Sequence, residues 1–96
     1  MRFEWDPEKN RANRSKHGIS FENARELFTG GGDYLEIYDE AHSVDEDRFV
    51  AIGPIRMGIV VIAYTERSDD GVRIMSARMA TRSEIRRFGE YWRRRR

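Results

Sequence analysis

The spacing of apolar residues divides the chain into helical and extended stretches. Phe21, Ala24, Leu27 and Phe28 recur at three- and four-residue intervals, the spacing of one helix face, and Ser20 before them is suited to cap the helix. An earlier helix is marked by its ends and not by a stripe. Asp6 as N-cap, Pro7 at the first helical position and Glu8 at the positive end of the dipole open it, and Gly18 stops it after His17. With Ala12 set among Arg11, Arg14 and Lys16, that helix has little apolar surface of its own. Phe3 to Trp5 reads as a short extended start.

After the glycine-rich turn Thr29 to Asp33 the period shortens to two, the mark of strands. YLEIY from Tyr34 is a short strand, and DEAHSVDED from Asp39 is an exposed loop. RFVAIGPI from Arg48 is a second strand, with Phe49, Ala51 and Ile55 on one side and Val50 and Ile52 on the other. Pro54 has no N–H to donate, which places it at an edge or a strand end. IVVIAYTER from Ile59 is a β-branched run of the kind found in central strands. Pairing it with VRIMSARMA across a four-residue turn, Ser68 to Gly71, sets Glu66 opposite Arg73, Tyr64 opposite Met75, Ala63 opposite Ser76 and Val61 opposite Arg78. One face then holds Val60, Ile62, Tyr64, Met75, Ala77 and Met79. The other mixes Thr65, Arg67, Ser76 and Arg78 with Ile59, Val61 and Ile74. Thr81 and Glu84 form a capping box that opens a last helix, in which Ile85, Phe88, Tyr91 and Trp92 are spaced to pack. The final four arginines repel one another and are expected to fray. The predicted architecture is a single α+β domain over residues 1–96. It has an antiparallel sheet of three to four strands, two N-terminal helices and a C-terminal helix, arranged as one sheet and one helical layer.

Composition changes this picture only through charge and cysteine. The net charge of +1 conceals a segment, Asp33 to Asp47, with seven acids and no Lys or Arg. From Arg73 onward arginine dominates. Such asymmetry points to an anionic partner for the basic end or to internal neutralisation by the acidic segment. With no cysteine, disulfides and thiolate metal sites are excluded. No stretch approaches the roughly 20 apolar residues of a membrane span, and Met1 to Asp6 lacks the apolar run of a signal peptide. A soluble, cytoplasmic protein is the expectation.

The stretches FEWDPEKNRANRSKHGISFENA, DRFVAIG, YTER and RIMSARMATRSE, in that order, resemble the BrnT-type toxins of type II toxin–antitoxin systems, within the wider RelE/ParE-like group. The chain departs from that pattern at Met79, where the family often has a further basic residue. The resemblance implies a small RelE-like fold and a ribonuclease that needs neither metal nor cofactor and stalls translation. It also implies an antitoxin partner of the BrnA type, a ribbon-helix-helix protein through which alone the toxin would meet DNA. The alternative is a non-catalytic module that holds the antitoxin and modulates its operator binding.

RNA cleavage without a metal requires removal of the 2′-OH proton, stabilisation of charge on the phosphate and protonation of the leaving oxygen. Arginine suits the second task, because its planar fork stays charged and grips two oxygens. Arg78, at the place where RelE-like toxins tend to keep a functional arginine, is the candidate for the transition state. Arg67 is the candidate for binding. Six residues of strand separate Arg67 from the position opposite Arg78, about 20 Å, so the two share one phosphate only if both reach inward. His42, among carboxylates that favour its charged form, is the candidate acid. Arg82, Arg48, Lys16, His17 and Ser76 are the expected RNA contacts. Each has a structural counter-reading: a salt bridge to the acidic loop for Arg78, an idle loop residue for His42, a dipole interaction at a helix end for His17, a solvated helix face for Lys16. Glu66 could serve as base, but Arg73 opposite would explain it. The consecutive acids Asp45 to Asp47 point different ways and make no metal site.

Overall fold

The computed structural model describes residues 1–95. Strand β1 (Arg2–Glu4) leads into α1 (Pro7–His17), then two single helical turns, α2 (Phe21–Ala24) and α3 (Glu26–Thr29). Strand β2 (Leu35–Tyr38) follows, and after a 3-10 turn at Glu40–His42 come β3 (Arg48–Ile55), β4 (Gly58–Arg67), β5 (Gly71–Met79) and α4 (Arg82–Arg95).

The helix ends form for the local reasons the residues suggest. The Asp6 carboxylate accepts the Glu8 N–H at 2.8 Å, and Gly18 ends α1 at φ 73°, where a side chain would be strained. Ser20 Oγ accepts the Asn23 N–H at 3.0 Å. In the capping box, Glu84 accepts from the Thr81 N–H at 2.8 Å while Thr81 Oγ1 accepts from the Glu84 N–H at 3.2 Å.

Five strands form one sheet in the order β1-β5-β4-β3-β2. The expectation of three to four antiparallel strands is corrected at the edge, where β1 pairs parallel to β5. Its three residues are too few to carry a periodic signal. Pro54 lies beyond the end of β2, whose last partner on β3 in that direction is Ile52, so no ladder bond is lost. The turn after β4 is a residue tighter than expected, with Arg67 opposite Gly71 and Asp70 at φ 65°. A bulge between Ala63 and Tyr64 restores the expected pairing of Ala63 with Ser76 and Val61 with Arg78. Tyr64 therefore faces Ile74, not Met75, and Arg73 sits opposite Thr65. That slip puts Val72 and Ile74 into the core.

The core lies where Ala51, Val60, Ile62, Tyr64, Val72, Ile74 and Ala77 of one sheet face meet Ile19, Phe21, Ala24 and Leu27. The packing stripe read from the second helical segment thus holds, although the segment breaks at Arg25 into two turns. Helix α1 contributes no apolar residue to that core. Its buried residue is Asn13, which bonds Ala77 through both edges of its amide, Nδ2 to the carbonyl oxygen at 2.8 Å and Oδ1 from the N–H at 3.1 Å. Asn13 thereby imitates a neighbouring strand where β1 has ended, closing the exposed edge of β5.

Helix α4 lies on the opposite face, across β3 and β2, instead of joining a single helical layer. By strand parity Ile52 and Val61 point to that face, and they are buried there outside the main core. Phe88 and Tyr91 are half-buried, whereas Ile85 and Trp92 remain 45% and 41% exposed. The tail does not fray within the described residues. Arg95 continues the helix and pairs with Asp33 at 3.2 Å, and Arg96 lies outside the described residues.

Candidate functional site

The sheet face that carries α4 has a regular floor. Register places Ile37, Val50, Ala63 and Ser76 in one row, and Leu35, Ile52, Val61 and Arg78 in the next. A third row on the other side runs Arg48, Thr65, Arg73, Glu4. Successive rows are about 6.6 Å apart, two residues of strand. Between the first two rows and α4 opens a hollow of about 370 Å³, with Val50, Ala63 and Ser76 on its floor and Arg78, Glu84 and Arg87 on one wall. Tyr38 and Asp39 stand at the far end.

Arg78 enters this hollow from β5, two residues before the chain leaves the sheet. Its guanidinium is held in a fork by Glu84, Nη1 to Oε1 at 2.8 Å and Nη2 to Oε2 at 2.8 Å. Those bonds, with the Thr81 N–H, hold the Glu84 carboxyl at about 2, far below its ordinary value, against the opposing effect of burial. The same pairing raises the pKa of Arg78. Arg78 is therefore always charged and fixed in direction, yet its side chain keeps 42% of its surface in solvent. One turn along α4 from Glu84, Arg87 lines the same hollow, exposed and without an ion pair among the described residues. The chemistry available is a directed cation beside a free one over an apolar floor, an arrangement suited to bind and neutralise a phosphate group.

Of the other predicted residues, some converge and some do not. Ser76 lines the hollow and also a neighbouring one of about 240 Å³ that includes Lys9, Lys16 and His17. The end of α1 and the hollow of Arg78 are thus joined through one serine. His42 bonds Asp39 through Nδ1 at 2.9 Å, and Asp39 lines the main hollow, but the imidazole itself lies in an adjoining depression with Arg48 and Glu46. Arg67 is not in the hollow. It is engaged by Glu4 at 3.6 Å and Glu46 at 3.3 Å, at the remote end of the face. Arg82 is exposed on the first turn of α4 and does not line the hollow. Arg11 pairs with Glu8 at 2.7 Å, away from this face. Glu66, expected to meet Arg73, stands opposite Val72 instead, while Arg73 bonds Glu4 at 2.9 Å. The internal neutralisation of basic by acidic residues is partly real: Arg67 pairs with Glu46 and Arg95 with Asp33, both acids of the low-numbered half.

Sequence reasoning passed over Arg87 and the second role of Glu84. The signal for both was available in the capping box: its glutamate is turned toward the preceding strand, and a residue three further on shares its helix face. Asn13 carried no signal, because nothing local distinguishes an asparagine that serves a strand 64 residues away.

The likeness to known proteins agrees with this architecture. A family model described as "Ribonuclease toxin, BrnT, of type II toxin-antitoxin system" matches residues 5–84. Among solved structures, the crystal structure of the Brucella abortus ribonuclease toxin BrnT superposes with a TM-score of 0.68 at 25% identity, covering 85% of this chain and 99% of that one. Comparison with curated protein sequences finds no significant match. The family match begins at Trp5, just past β1, and runs through the capping box of α4, taking in strands β2 to β5 and the Arg78–Glu84 pair, and on that ground the chain belongs to the BrnT family of ribonuclease toxins of type II toxin–antitoxin systems.

Proposed function

We propose that this chain cleaves RNA without a metal ion, stalls translation in the cytoplasm by doing so, and is neutralised by a ribbon-helix-helix antitoxin of the BrnA type that alone contacts DNA. The observation that carries the reading is the open hollow in which Arg78 is fixed by Glu84 beside Arg87, which has no ion pair among the described residues. A scissile phosphate over Val50 and Ala63 meets Arg78 from the β5 side and Arg87 from α4. As the 2′-OH gives its proton to water and its oxygen attacks phosphorus, the added negative charge on the non-bridging oxygens falls on the two guanidinium groups. The strand of RNA continues past Ser76 toward Lys16 and His17. On the other side it approaches Asp39 and His42, where the imidazole, oriented through Nδ1 by the Asp39 carboxylate, gives a proton to the leaving oxygen. The two histidines flank opposite edges of a sheet several strands wide, each strand about 4.8 Å from the next. They do not share one phosphodiester, so His17 is given the binding role. Arg48 and, at the remote end of the face, Arg67 and the exposed Arg82 are assigned to the flanking backbone.

The test is cleavage of a short RNA by the purified chain in EDTA. Arg78→Ala is expected to lose about 10²- to 10³-fold in rate, the usual effect of removing one preorganised charge-stabilising donor. Antitoxin binding should stay within a few-fold of the parent. A second reading has an observation of its own in its favour: both fork nitrogens of Arg78 are already taken by Glu84, as in a purely structural pair. Under that reading the parent chain holds its antitoxin tightly and leaves RNA intact, and Arg78→Ala changes stability alone.

A further inference from the structure

On the sheet face away from the hollow, a cavity of about 130 Å³ opens between the end of α3, the start of β2 and the β4–β5 turn. Phe28, Tyr34 and Tyr64 wall it, with ring centroids 5.3 Å apart for Phe28 and Tyr34 and 5.0 Å for Phe28 and Tyr64. Glu36 and Glu66 stand at its mouth, both exposed. The ions around it do not balance. Asp70 is matched by the Met1 ammonium at 3.6 Å, and Arg67 at the rim is engaged by Glu4 and Glu46. Glu36 accepts a hydrogen bond from the neutral Tyr64 hydroxyl, and Glu66 has no hydrogen bond or ion pair among the described residues. Two carboxylates thus face one aromatic cavity with no ion pair to either among the described residues. Their field reaches the walls: Tyr34 and Tyr64 are both harder to ionise than usual, through burial first and through Glu36 and Glu66 in addition.

We infer that this cavity is the docking point for an Arg or Lys side chain of the antitoxin. The aliphatic stem of such a side chain packs on the rings, its charge lies against their faces, and its N–H groups meet Glu36 and Glu66. The surroundings favour the same occupant. Tyr38, half exposed, extends the aromatic surface through Phe49 to Tyr64, and its hydroxyl bonds Asp47 at 3.0 Å. Asp47 and the Glu36 carboxylate add to a negative field along this aromatic surface that attracts a basic segment. The inference rests on the antitoxin partnership of the family and not on RNA cleavage, since cavity and hollow lie on opposite faces of the sheet.

Two measurements test it. In the first, N-acetyl-arginine amide is titrated into the full chain and followed by ring resonances of Phe28, Tyr34 and Tyr64. Saturable shifts confined to those rings, absent with the norleucine analogue and lost in Glu36→Gln/Glu66→Gln, are expected. In the second, affinity for a purified BrnA-type antitoxin is measured at low and high salt, and Glu66→Gln alone should weaken it by about tenfold at low salt. Glu66 makes no hydrogen bond or ion pair among the described residues, so that variant folds as the parent does. Absent ring shifts, shifts unchanged in the double variant, or antitoxin affinity unchanged by Glu66→Gln would each overturn the assignment. Failure of the parent to cleave RNA would leave it standing.

Discussion

Replacing Asn13 by alanine should destabilise the protein more than any other single change on α1. The side chain is 8% exposed and makes three hydrogen bonds: Nδ2 to the Ile19 carbonyl at 2.9 Å, Nδ2 to the Ala77 carbonyl at 2.8 Å, and Oδ1 from the Ala77 N–H at 3.1 Å. Ile19 and Ala77 are both fully buried. Alanine strands two carbonyls and one N–H where water does not reach. At about 1 kcal/mol or somewhat more for each stranded group, the loss is about 3 to 5 kcal/mol. Alanine is the better helix former by about half a kcal/mol, which opposes the effect without cancelling it. A domain of this size is stable by roughly 5 to 14 kcal/mol, so the variant should sit near the threshold of folding at 37 °C. Equilibrium urea unfolding measures it: the midpoint falls by about 2 to 3 M with the slope unchanged, for a slope of about 1.5 kcal/mol per M. Hydrogen exchange at the Ala77 amide should rise in parallel. A loss below about 1 kcal/mol, with that amide still protected, would refute the idea that one asparagine closes the sheet edge.

Glu84→Gln tests the pair that fixes Arg78. Because the Glu84 carboxyl titrates at about 2 when folded and near 4.5 otherwise, its contribution is fully present above pH 4.5 and is lost as pH falls toward 2. A shift of that size would be worth up to about 3 kcal/mol. With Arg78 42% exposed, water screens the pair and about 1 kcal/mol is expected at pH 7. Unfolding curves of parent and variant should therefore converge between pH 4.5 and 2, and a gap that persists at pH 2 would show that packing and not charge is responsible. Gly53→Ala probes the seat of α3 on β3: the added methyl would lie 2.8 Å from both Leu27 Cδ1 and Tyr34 Cβ. Leu27 can swing aside but Tyr34 Cβ cannot without moving its backbone, so a loss of about 1 to 3 kcal/mol in thermal or urea unfolding is expected. A neutral result would mean that the loop before β2 yields freely.

Much of the fold was legible because it is written in contacts between near neighbours. Asp6, Pro7 and Gly18 bound α1 where the backbone needs them, and Thr81 and Glu84 open α4 reciprocally. The alternation in β3 and the β-branched run of β4 place the right residues on the right faces, since parity along a strand is a local property. The pairing of Val61 with Arg78 agrees with the expected register because the bulge offsets the tighter turn. What failed were quantities set by partners distant in sequence. A bulge at Ala63/Tyr64 and a tighter turn at Asp70 compensate each other, and only the packing of Val72 and Ile74 against the helices selects that solution over a regular hairpin.

Sequence alone determined most of the elements, their order, the buried stripe of Phe21, Ala24 and Leu27, and the family, because those follow from spacing, capping and motif. Tertiary structure decided that α4 crosses the face opposite the other helices, which opens the hollow and leaves Arg67 outside it. It decided that Arg78 is gripped by Glu84 while Arg87 has no ion pair among the described residues, and that Asn13 stands in for a strand at the edge of β5. Each depends on where two elements meet in space. A side chain's partner across such a meeting is chosen by the lowest free energy of the whole packing, and no window of neighbouring residues carries that information.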